Sequence, residues 1–453
     1  MTLNIVILAA GQGSRMKSEM PKVLHTIAEK PLLGHVLDTA AALQSDKTIV
    51  VYGHGGDQVR QTFIGRALTW IEQIEQQGTG HAVLQTISAL DDDATVLVLY
   101  GDVPLLRPTT LEPLVEKAAQ GPALLTAVLT DPQGYGRVIR DEKGLFARVV
   151  EQKDAGADEL RVQEVNTGVM AMPALMLKKY LPRVTNNNAQ GEYYLPDVLS
   201  MAVTDGFDVQ VVTVDDAIET EGVNTRAQLV QLERAYQLRQ VQTLMAQGLG
   251  VADPARVDIR GTLTAGKDCF VDVNAVFEGE VVLGDGVIIE PNCVIRNSTI
   301  GSGTRICAMS HLEQAIVGAS ANIGPFARLR PGTELADKTK IGNFVETKKA
   351  VLGEGSKVNH LSYIGDAVLG AGVNVGAGTI TCNYDGANKF QTTMGDNVFI
   401  GSNSTLVAPV TIETDGFVGA GSVVTKTVGQ GELAIGRGKQ RNISGWTRPK
   451  KNK

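Results

Sequence analysis

The feature of this chain that most restricts its fold is an aliphatic residue that returns at every sixth position between about residues 283 and 424. The runs in phase are Val317, Ile323, Leu329, Leu335 and Ile341; Met394, Ile400, Leu406, Ile412, Val418 and Val424; Leu283, Ile289 and Ile295; and Leu352, Val358 and Ile364. A period of six fits neither the 3.6 residues of an α-helical turn nor the alternation of a simple strand. It fits short strands that turn a corner after each repeat, so the pattern predicts a parallel β-helix of hexapeptide repeats.

Length and composition restrict the class of protein further. A chain of 453 residues is too long for one typical domain, and its formal net charge of −7 gives no reason to expect a nucleic-acid partner. The four cysteines contain no CxxC pair, so we expect buried, reduced thiols rather than disulfides or a zinc site; they are Cys269, Cys293, Cys307 and Cys382. Because we see neither a signal peptide nor an apolar run of membrane-spanning length, we expect a cytoplasmic protein with no membrane insertion.

The first half of the chain alternates apolar runs with helix-like segments. The apolar runs lie at residues 3–8, 48–52, 95–99, 123–129 and 209–214, and the helix-like segments at 31–43 and 80–90. This alternation predicts a mostly parallel, Rossmann-like sheet with helices on both faces and ligands at the carboxyl ends of its strands. Residues 225–247 contain no Pro or Gly and predict one long helix that separates the halves.

The predicted fold class is therefore α/β, with a left-handed parallel β-helix in the second half. The predicted domains are residues 1–226, a linker helix over 227–248, and residues 249–453, which end in a basic tail. The tail residues are Arg437, Lys439, Arg441, Arg448, Lys450, Lys451 and Lys453.

A Gly-rich turn follows the first predicted strand. Gly11 and Gly13 leave backbone N–H groups free where a strand enters a helix, which favours an anion site. The turn matches neither GxGxxG nor GxxxxGK[ST]. Arg15 and Lys22 add two cations, which suits a triphosphate in a transfer reaction. On these residues alone, a tight strand–helix connection explains the turn equally well.

Polar residues follow two later strands. Asp102 comes just after a buried strand, where a catalytic metal would be held, although a lone aspartate there is more often a helix cap or turn residue. Gln73, Gly78 and Thr79 supply amide and backbone groups that could read the edge of a base.

Six segments in order resemble the sugar-phosphate nucleotidyltransferase family. They are LAAGQGSRM (8–16), Lys22, GTGHA (78–82), YGDVPL (100–105), YGRV (135–138) and NTG (166–168). The resemblance implies attack of a sugar 1-phosphate oxygen on the α-phosphorus of a nucleoside triphosphate, with release of pyrophosphate. It implies a nucleotide-sugar site of Leu8, Ala9, Ala10, Gly11, Gly13, Arg15, Lys22, Gln73, Gly78, Thr79, Tyr100, Gly101, Asp102, Gly136, Glu151, Asn166 and Asn224. In this family Asp102 and Asn224 would ligate Mg²⁺, and Arg15 and Lys22 would balance the phosphates.

The second half carries more polar residues than a scaffold needs. Arg330, Lys348 and His360 stand between aliphatic positions, although a lone histidine on a β-coil is more often a surface residue. An insertion over residues 379–393 interrupts the repeats and contains Asn383 and Tyr384. Insertions of this kind usually cover a binding face.

Four further segments closely resemble the second half of the bifunctional GlmU family of bacterial cell-wall precursor synthesis. They are GNFVETKKA (342–350), KVNHLSYIGDA (357–367), GAGTITCNYDG (376–386) and GRGK (436–439). This resemblance implies acetyl transfer from acetyl-CoA to glucosamine 1-phosphate, followed by uridylyl transfer from UTP to N-acetylglucosamine 1-phosphate. It also implies a homotrimer with sites between subunits.

The same resemblance implies roles for residues of the second half. His360 would be the general base, because an amine attacks a thioester only when it is unprotonated. Glucosamine 1-phosphate would contact Arg330, Lys348, His360, Tyr363 and Asn374. Acetyl-CoA would contact Ala377, Asn383, Tyr384, Ser402, Ala420 and Arg437.

Two other functions remain open on the sequence. One is a nucleotidyltransferase of single activity whose β-helix serves assembly or regulation only. A weaker one is an acetyltransferase whose first half only binds a nucleotide. His360, the Asn383–Tyr384 insertion and the pair Arg330 and Lys348 argue against the first of these.

Overall fold

A computed structural model of the protein describes residues 2–53, 55–449 and 451. The chain forms two compact units, one ending at Tyr236 and the other beginning at Gln237. Lys450 and Lys453 of the predicted basic tail lie outside the described residues. In the described part of the chain, none of the helices combines the length and the apolarity that crossing a membrane requires.

The first unit is organised around a nine-stranded sheet. Its strands are β1 (Leu3–Ala9), β2 (Lys47–Tyr52), β3 (Thr69–Glu72), β4 (Thr95–Tyr100), β5 (Ala123–Val128), β6 (Arg137–Arg140), β7 (Phe146–Val150), β8 (Glu164–Pro173) and β9 (Gln210–Thr213). Seven of them follow the order β9-β5-β8-β4-β1-β2-β3, and β6 joins β7 to β8 in an antiparallel ribbon. A separate two-stranded ribbon pairs Thr26–Ile27 with Lys30–Pro31.

Helices cover both faces of this sheet. They are α1 (Leu32–Ala42), α2 (Gly56–Thr62), α3 (Thr79–Leu84), α4 (Pro108–Ala118), α5 (Ala174–Tyr180) and α6 (Asp197–Thr204). Apolar residues of α1, α2 and α4 pack in one core cluster and those of α3, α5 and α6 in another. The 3₁₀ turns are Ser14–Met16, Lys22–Leu24, Ile87–Ala89, Glu159–Arg161, Leu181–Arg183, Ala217–Thr220 and, in the second unit, Pro254–Arg256.

The structure confirms a Rossmann-like sheet, adds an antiparallel strand that was not predicted, and shortens one predicted helix. Strand β8 runs antiparallel to both β4 and β5, with a register shift between Asn166 and Met170. A buried apolar run does not reveal strand direction, so the sequence could not show this. The helix predicted over 80–90 ends at Leu84, and the Thr86 hydroxyl donates to the Val83 carbonyl at 2.7 Å. Such local side-chain bonds compete with the helical pattern.

A long helix, α7 (Arg226–Ala246), lies where the sequence predicts one. Its first half belongs to the first unit, where Leu232 packs against a small buried cluster around Met16 and Ile27. Two polar contacts add to this packing: Glu233 accepts a hydrogen bond from the Ala28 N–H at 2.8 Å, and the Tyr236 ring stands edge-on to His35 at 4.9 Å. The predicted domain boundary at residue 226 coincides with the start of α7, whereas the first unit continues to Tyr236.

The second unit is a parallel β-helix whose strands form two sheets. The 11-stranded sheet contains Gly250–Val251, Phe270–Val271, Ile288–Ile289, Arg305–Ile306, Asn322–Ile323, Lys340–Asn343, Lys357–His360, Asn374–Val375, Phe399–Ile400, Phe417–Val418 and Leu433–Ala434. The 15-stranded sheet contains Val257–Ala265, Ala275–Leu283, Val294–Arg296, Thr299–Ile300, His311–Glu313, Ala315–Val317, Arg328–Leu329, Thr333–Leu335, Glu346–Leu352, Tyr363–Leu369, Ile380–Cys382, Thr392–Met394, Thr405–Val407, Val410–Ile412 and Val423–Val424.

The predicted hexad residues form the axis of this β-helix. Every aliphatic residue of the four runs is buried, with exposed fractions between 0% and 5%, and all of them belong to one core cluster. Corners between strands are made at left-handed residues such as Asn292, Met309 and Phe326, with φ between 54° and 61°. The predicted insertion is shorter than expected, because Ile380–Cys382 and Thr392–Met394 continue the parallel ladders. Only residues 383–391 leave the coil.

The four cysteines are free thiols in the structure. Cys269 and Cys293 are buried, as predicted, whereas Cys307 and Cys382 are half-buried. Burial raises the pKa of the Cys293 thiol to about 11. This thiol is therefore protonated and unreactive near neutral pH.

Candidate active sites

The Gly-rich turn and Asp102 meet because β1 and β4 are parallel neighbours. Leu8 is in register with Tyr100, and the Gly101 N–H donates to the Leu8 carbonyl at 2.9 Å. Carboxyl ends of adjacent parallel strands share one edge of the sheet, which is where α/β proteins place their ligands. The residues predicted on these two strand ends therefore lie side by side.

Gly13 allows a close approach between the turn and Lys22. It adopts a left-handed φ of +65°, and a Cβ at this position would lie 2.7 Å from the Cβ of Lys22. Any larger residue would both strain the backbone and push Lys22 away. Glycine is thus required here for the lysine to reach the end of β4.

Four of the predicted charged and polar residues form one network. The Lys22 ammonium is ion-paired with the Asp102 carboxylate and donates to the Asn224 amide oxygen at 3.2 Å. Arg15 donates to the same amide oxygen at 2.9 Å. The side chains of Lys22 and Asp102 are only 13% and 15% exposed, so their attraction is weakly screened.

The chain holds Asn224 against Asp102 through backbone as well as side-chain bonds. The Val223 N–H donates to the Asp102 carbonyl at 2.9 Å. The Asn224 N–H donates to the Gln228 amide oxygen at 2.9 Å, and the Gln228 N–H donates to the Thr225 hydroxyl at 3.2 Å. The two bonds resemble a capping box at the start of α7, except that the Gln228 side chain accepts from the Asn224 N–H rather than from the Thr225 N–H.

The donor set beside Lys22 fits a hard divalent cation. Carboxylate and amide oxygens are ligands that Mg²⁺ prefers. Here the Asp102 carboxylate and the Asn224 amide oxygen both contact one cation, the Lys22 ammonium. Among the described residues, no cluster of three or more His, Cys, Asp or Glu side chains could hold a metal by itself. A metal at this place would need substrate oxygens to complete its coordination.

A cavity of about 300 Å³ opens beside this network. Its lining contains ten predicted residues and four others: Leu8, Ala9, Ala10, Gly11, Lys22, Gln73, Gly78, Thr79, Tyr100 and Asp102, with Val23, Gln76, Ala82 and Glu192. Gln76, which the sequence analysis did not select, donates to the Ala10 carbonyl at 2.6 Å. Gln76 lies two residues before Gly78, a predicted site residue, and this nearness in sequence was the one indication that it could line the cavity.

Tyr100 closes one wall of the cavity. Burial raises the pKa of its hydroxyl above the ordinary value, and the charges of Asp102 and Glu151 raise it further. A Cβ on Gly168 would lie 2.7 Å from the Tyr100 oxygen, and Gly168 itself has a left-handed φ of +82°. The NTG segment therefore packs directly on this tyrosine.

Glu151, Gly136 and Asn166 form a second group next to Tyr100. The Asn166 N–H donates to the Gly136 carbonyl at 2.8 Å, and a Cβ on Gly136 would lie 2.9 Å from a Glu151 carboxylate oxygen. Burial raises the pKa of the Glu151 carboxyl, and nearby Asp154 and Asp197 add to this effect. Glu151 also lines a neighbouring cavity of about 300 Å³, together with Asp154 and Asp197.

In the second unit, cations gather on the 15-stranded sheet. Arg330 is ion-paired with Glu346 at 2.7 Å, and Glu346 is in register with Tyr363. Lys389 of the 383–391 loop lowers the pKa of the Lys348 ammonium. Burial and the charge of Arg330 lower this pKa further. Mutual repulsion of this kind would be relieved by a bound anion. Lys389 was not predicted, because its position depends on the 383–391 loop, which lies outside the repeat.

His360 lies at the end of a strand of the 11-stranded sheet. Its Nδ1 is 3.1 Å from the Asn343 amide oxygen, which can only accept a hydrogen bond. This contact favours the tautomer of the neutral imidazole that carries its proton on Nδ1 and leaves Nε2 as an acceptor. Asn343 was a missed residue, although the 17-residue separation equals one coil.

The predicted substrate contacts of the second unit lie on both sheets. His360 and Asn374 belong to the 11-stranded sheet, whereas Lys348 and Tyr363 belong to the other. Among the described residues, no hydrogen bond or ion pair joins His360 to Arg330, Lys348, Tyr363 or Asn374. Within the described part of one chain, His360 is therefore not linked to these groups by a polar bond.

The predicted acetyl-CoA residues follow one corner of successive coils. The Asn403 N–H donates to the Ala377 carbonyl at 2.7 Å, and the Gly421 N–H donates to the Ser402 carbonyl at 2.8 Å. The Arg437 guanidinium donates to the Ala420 carbonyl at 2.7 Å. Two residues of the insertion lie elsewhere: Asn383 is buried against Asp366, and Tyr384 is exposed with its hydroxyl bonded to the Gly386 carbonyl.

Comparisons with known families match both units separately. The MobA-like NTP transferase domain matches residues 5–193. The hexapeptide repeat of succinyl-transferase matches residues 391–426, and the GMPPB C-terminal domain matches residues 259–341.

Comparisons with curated proteins match the chain from end to end. A "Bifunctional protein GlmU" of Marinobacter nauticus is 59% identical over 450 residues, which is 99% of each chain. A protein of the same name from Idiomarina loihiensis is 56% identical over 100% of both chains. Another, from Cellvibrio japonicus, is 57% identical over 99% of both chains.

Proposed function

The chain belongs to the family of bifunctional GlmU proteins, and from this premise we propose which of its parts carry each reaction. It is a bifunctional transferase, with an acetyltransferase and a uridylyltransferase activity. The observation that carries this conclusion is identity of 56–59% along the whole chain. We assign uridylyl transfer to residues 1–226, acetyl transfer to residues 249–453, and a connecting role to the helix of residues 227–248.

We propose that the cavity of the first unit binds UTP and N-acetylglucosamine 1-phosphate. A phosphate oxygen of the sugar attacks the α-phosphorus, the new P–O bond forms, and pyrophosphate leaves. The sugar phosphate is already a nucleophile, so this chain needs to supply position and charge rather than a base. Arg15 and Lys22 balance the phosphates, while Glu151, Asn166 and the Gly136 backbone hold the sugar.

The two oxygens of the Lys22 network support a proposal that Mg²⁺ is the cofactor. Asp102 and Asn224 would hold it once the substrate phosphates draw Lys22 away. When bound, Mg²⁺ would neutralise charge on the phosphates. The backbone bond from Val223 to Asp102 keeps both oxygens in place.

For the second unit we propose acetylation of glucosamine 1-phosphate by acetyl-CoA. The sugar amine attacks the thioester carbonyl carbon, the C–N bond forms, the C–S bond breaks, and CoA leaves as a thiolate, which then takes up the proton that the amine has given to His360. His360 Nε2 accepts the proton from the amine, because Asn343 fixes the imidazole proton on Nδ1. Arg330, Lys348 and the newly identified Lys389 bind the phosphate.

The separation of these groups on two sheets supports a homotrimer with composite sites. His360 of one chain would face the cations of a neighbouring chain. The proposal is tested by mixing two inactive variants, His360→Ala and Arg330→Ala, after reversible dissociation. Recovery of acetyl transfer in the mixture supports a shared site, and no recovery from re-formed trimers contradicts it. We also propose a cytoplasmic location, since UTP and acetyl-CoA are available there.

The assignment of the two reactions is tested by following free CoA and pyrophosphate separately. Purified protein receives glucosamine 1-phosphate, acetyl-CoA, UTP and Mg²⁺. We expect His360→Ala to abolish CoA release, and Asp102→Ala to abolish pyrophosphate release from ready-made N-acetylglucosamine 1-phosphate. CoA release that persists at the normal rate in His360→Ala would contradict the base role of that residue. It would favour the alternative of a β-helix that serves assembly or regulation only.

A further inference from the structure

Residues 186–192, here called the bridging loop, lie between α5 and α6 in the chain and belong to neither a helix nor a strand. The loop reaches both cavities of the first unit. Asn188 lines the cavity that contains Asp154 and Asp197, whereas Glu192 lines the cavity beside the Lys22 network. One short segment therefore contributes to the wall of each cavity.

On the side of the Lys22 network, the end of the loop is bonded to the chain on both sides of Gly78. The Tyr193 N–H donates to the Gln77 carbonyl at 2.9 Å, and the Gly80 N–H donates to the Tyr193 carbonyl at 2.8 Å. Gly78 has a φ of +109°, and a Cβ there would lie 2.7 Å from the Tyr193 carbonyl oxygen. Glycine is required for this close approach, so a displacement of Tyr193 would also displace the cavity wall at Gly78.

On the opposite side, the middle of the loop is bonded to the turn that follows Glu151. The Ala189 N–H donates to the Asp154 carboxylate at 3.0 Å, and the Lys153 ammonium donates to the Gln190 amide oxygen at 3.1 Å. The Asp154 N–H donates in turn to the Glu151 carbonyl at 2.9 Å. The loop therefore supports the backbone that carries the carboxylate proposed to hold the sugar.

Asn188 joins the two ends of the loop. Its amide nitrogen donates to the Glu192 carbonyl at 2.6 Å. Its amide oxygen accepts from the N–H groups of Gln190 and Glu192 at 3.1 and 3.2 Å. Because one end of the amide faces an acceptor and the other faces two donors, the side chain fits in one orientation only.

The charge of Glu192 provides a second link between the two sides. Burial raises the pKa of the Glu151 carboxyl, and the negative charges of Asp154, Asp197 and Glu192 raise it further. A movement of Glu192 in one cavity would therefore change how readily Glu151 ionises beside the other.

We propose that the bridging loop couples the two substrates of uridylyl transfer, with Asn188 as the positioning residue that transmits the coupling. The inference rests on the proposed binding of UTP and N-acetylglucosamine 1-phosphate by this unit. A nucleotide that contacts Gly78 and Glu192 restricts the loop, and Asn188 extends this restriction to the turn after Glu151. The sugar phosphate then binds to groups that are already ordered, so each ligand raises the affinity for the other by the same factor.

The test is equilibrium dialysis of N-acetylglucosamine 1-phosphate in the presence of Mg²⁺, with and without a saturating α,β-methylene analogue of UTP that cannot release pyrophosphate. Coupling between two sites is typically about 5- to 150-fold, so we expect the analogue to lower the Kd of the sugar phosphate at least about fivefold in the wild type. In Asn188→Ala we expect the two Kd values to agree within about twofold. The Kd of the analogue, measured with and without the sugar phosphate, should change by the same factor in each protein.

Two further variants make the test specific. Asn186→Ala is the matched control, because Asn186 is an exposed asparagine of the same loop whose side chain makes no hydrogen bond within the described part of the chain. It should keep the wild-type ratio. Asn188→Asp still accepts from the two N–H groups but cannot donate to the Glu192 carbonyl, so its coupling should be intermediate. Unchanged acetyl transfer shows that each variant is folded and assembled.

The outcomes separate this inference from the function on which it rests. A wild-type protein that binds neither ligand overturns the proposed function and the inference together. Binding of both ligands without mutual effect in the wild type, or full coupling in both Asn188 variants, overturns the inference alone. A purely structural role for Asn188 would weaken the binding of both ligands and leave the ratio of the two Kd values unchanged, which also contradicts the inference.

Discussion

The Lys22 ammonium occupies the place that a metal ion would take, and replacing it should therefore have two opposite effects. In Lys22→Met, a side chain of similar length loses its charge and its bonds to Asp102 and Asn224. The Asp102 carboxylate then has lost its cation in the substrate-free protein, and only Arg15 still donates to the Asn224 oxygen, so we expect Mg²⁺ to bind more tightly. Uridylyl transfer should nevertheless slow down, because Lys22 no longer balances the phosphates during the reaction.

The size of the first effect follows from the burial of the pair. Lys22 and Asp102 are 13% and 15% exposed, so their contact counts as a charge-assisted hydrogen bond of about 1.5–3 kcal/mol rather than a surface ion pair. Mg²⁺ must displace this contact in the wild type and does not in the variant. Since 1.4 kcal/mol corresponds to a factor of ten, the affinity should rise by about 10- to 100-fold.

Isothermal titration of the substrate-free protein with Mg²⁺ measures the affinity, and pyrophosphate release measures the reaction. Lys17→Met is the matched control, because Lys17 is an exposed lysine of the same loop, and it should change neither quantity. Acetyl transfer should be unaffected in both variants. Unchanged or weaker Mg²⁺ binding in Lys22→Met would refute the idea that the ammonium competes with the metal.

Three further predictions concern residues that hold or surround the sites. Asn343→Ala should lower kcat/KM of acetyl transfer about tenfold, since His360 loses the acceptor that fixes its proton, while pyrophosphate release stays unchanged. Gln228→Ala should raise the Mg²⁺ concentration for half-maximal uridylyl transfer about fivefold, because a capping interaction of about 1 kcal/mol no longer holds Asn224. Burial raises the pKa of the Glu151 carboxyl in the folded protein above its pKa in the unfolded chain. Ionised Glu151 therefore lowers the free energy of unfolding at a pH above the folded-state pKa, and it has no effect at a pH below the unfolded-state pKa. Glu151→Gln should therefore raise the unfolding temperature of the first unit near about pH 8 and leave it unchanged near about pH 3, by calorimetry; an equal rise at both would contradict this cause.

The second unit was predictable where the chain is periodic. Each hexad residue faces the axis because local strand and corner geometry repeats, and all of them are buried, as Ile341 and Leu406 illustrate. The stacking of coils also explains the contact between Asn343 and His360, which the sequence analysis could have found from the coil length. The approach of Lys389 to Lys348 was beyond it, because the loop between the coils follows no repeat.

The first unit was predictable where motifs end adjacent parallel strands. Gly11, Lys22 and Asp102 meet because β1 and β4 share an edge, which the strand pattern implies. The direction of β8 and the bond between His81 and Gln73 were not predictable in this way. Both depend on which segments become neighbours in space, and apolar periodicity carries no such information.

The packing of α7 determines where the chain could be cut to give a separate fragment for the proposed uridylyl transfer. A fragment cut at residue 226 would retain Asn224 but lose Gln228, which holds its backbone, and Glu233, which holds the loop at Ala28. It would also expose the cluster around Met16, directly behind the Gly-rich turn. Truncation at this point would therefore impair catalysis through missing support, although no substrate-binding residue of the first unit had been removed. The compact unit that holds the candidate site extends to Tyr236, into the segment that the sequence predicts to be a linker.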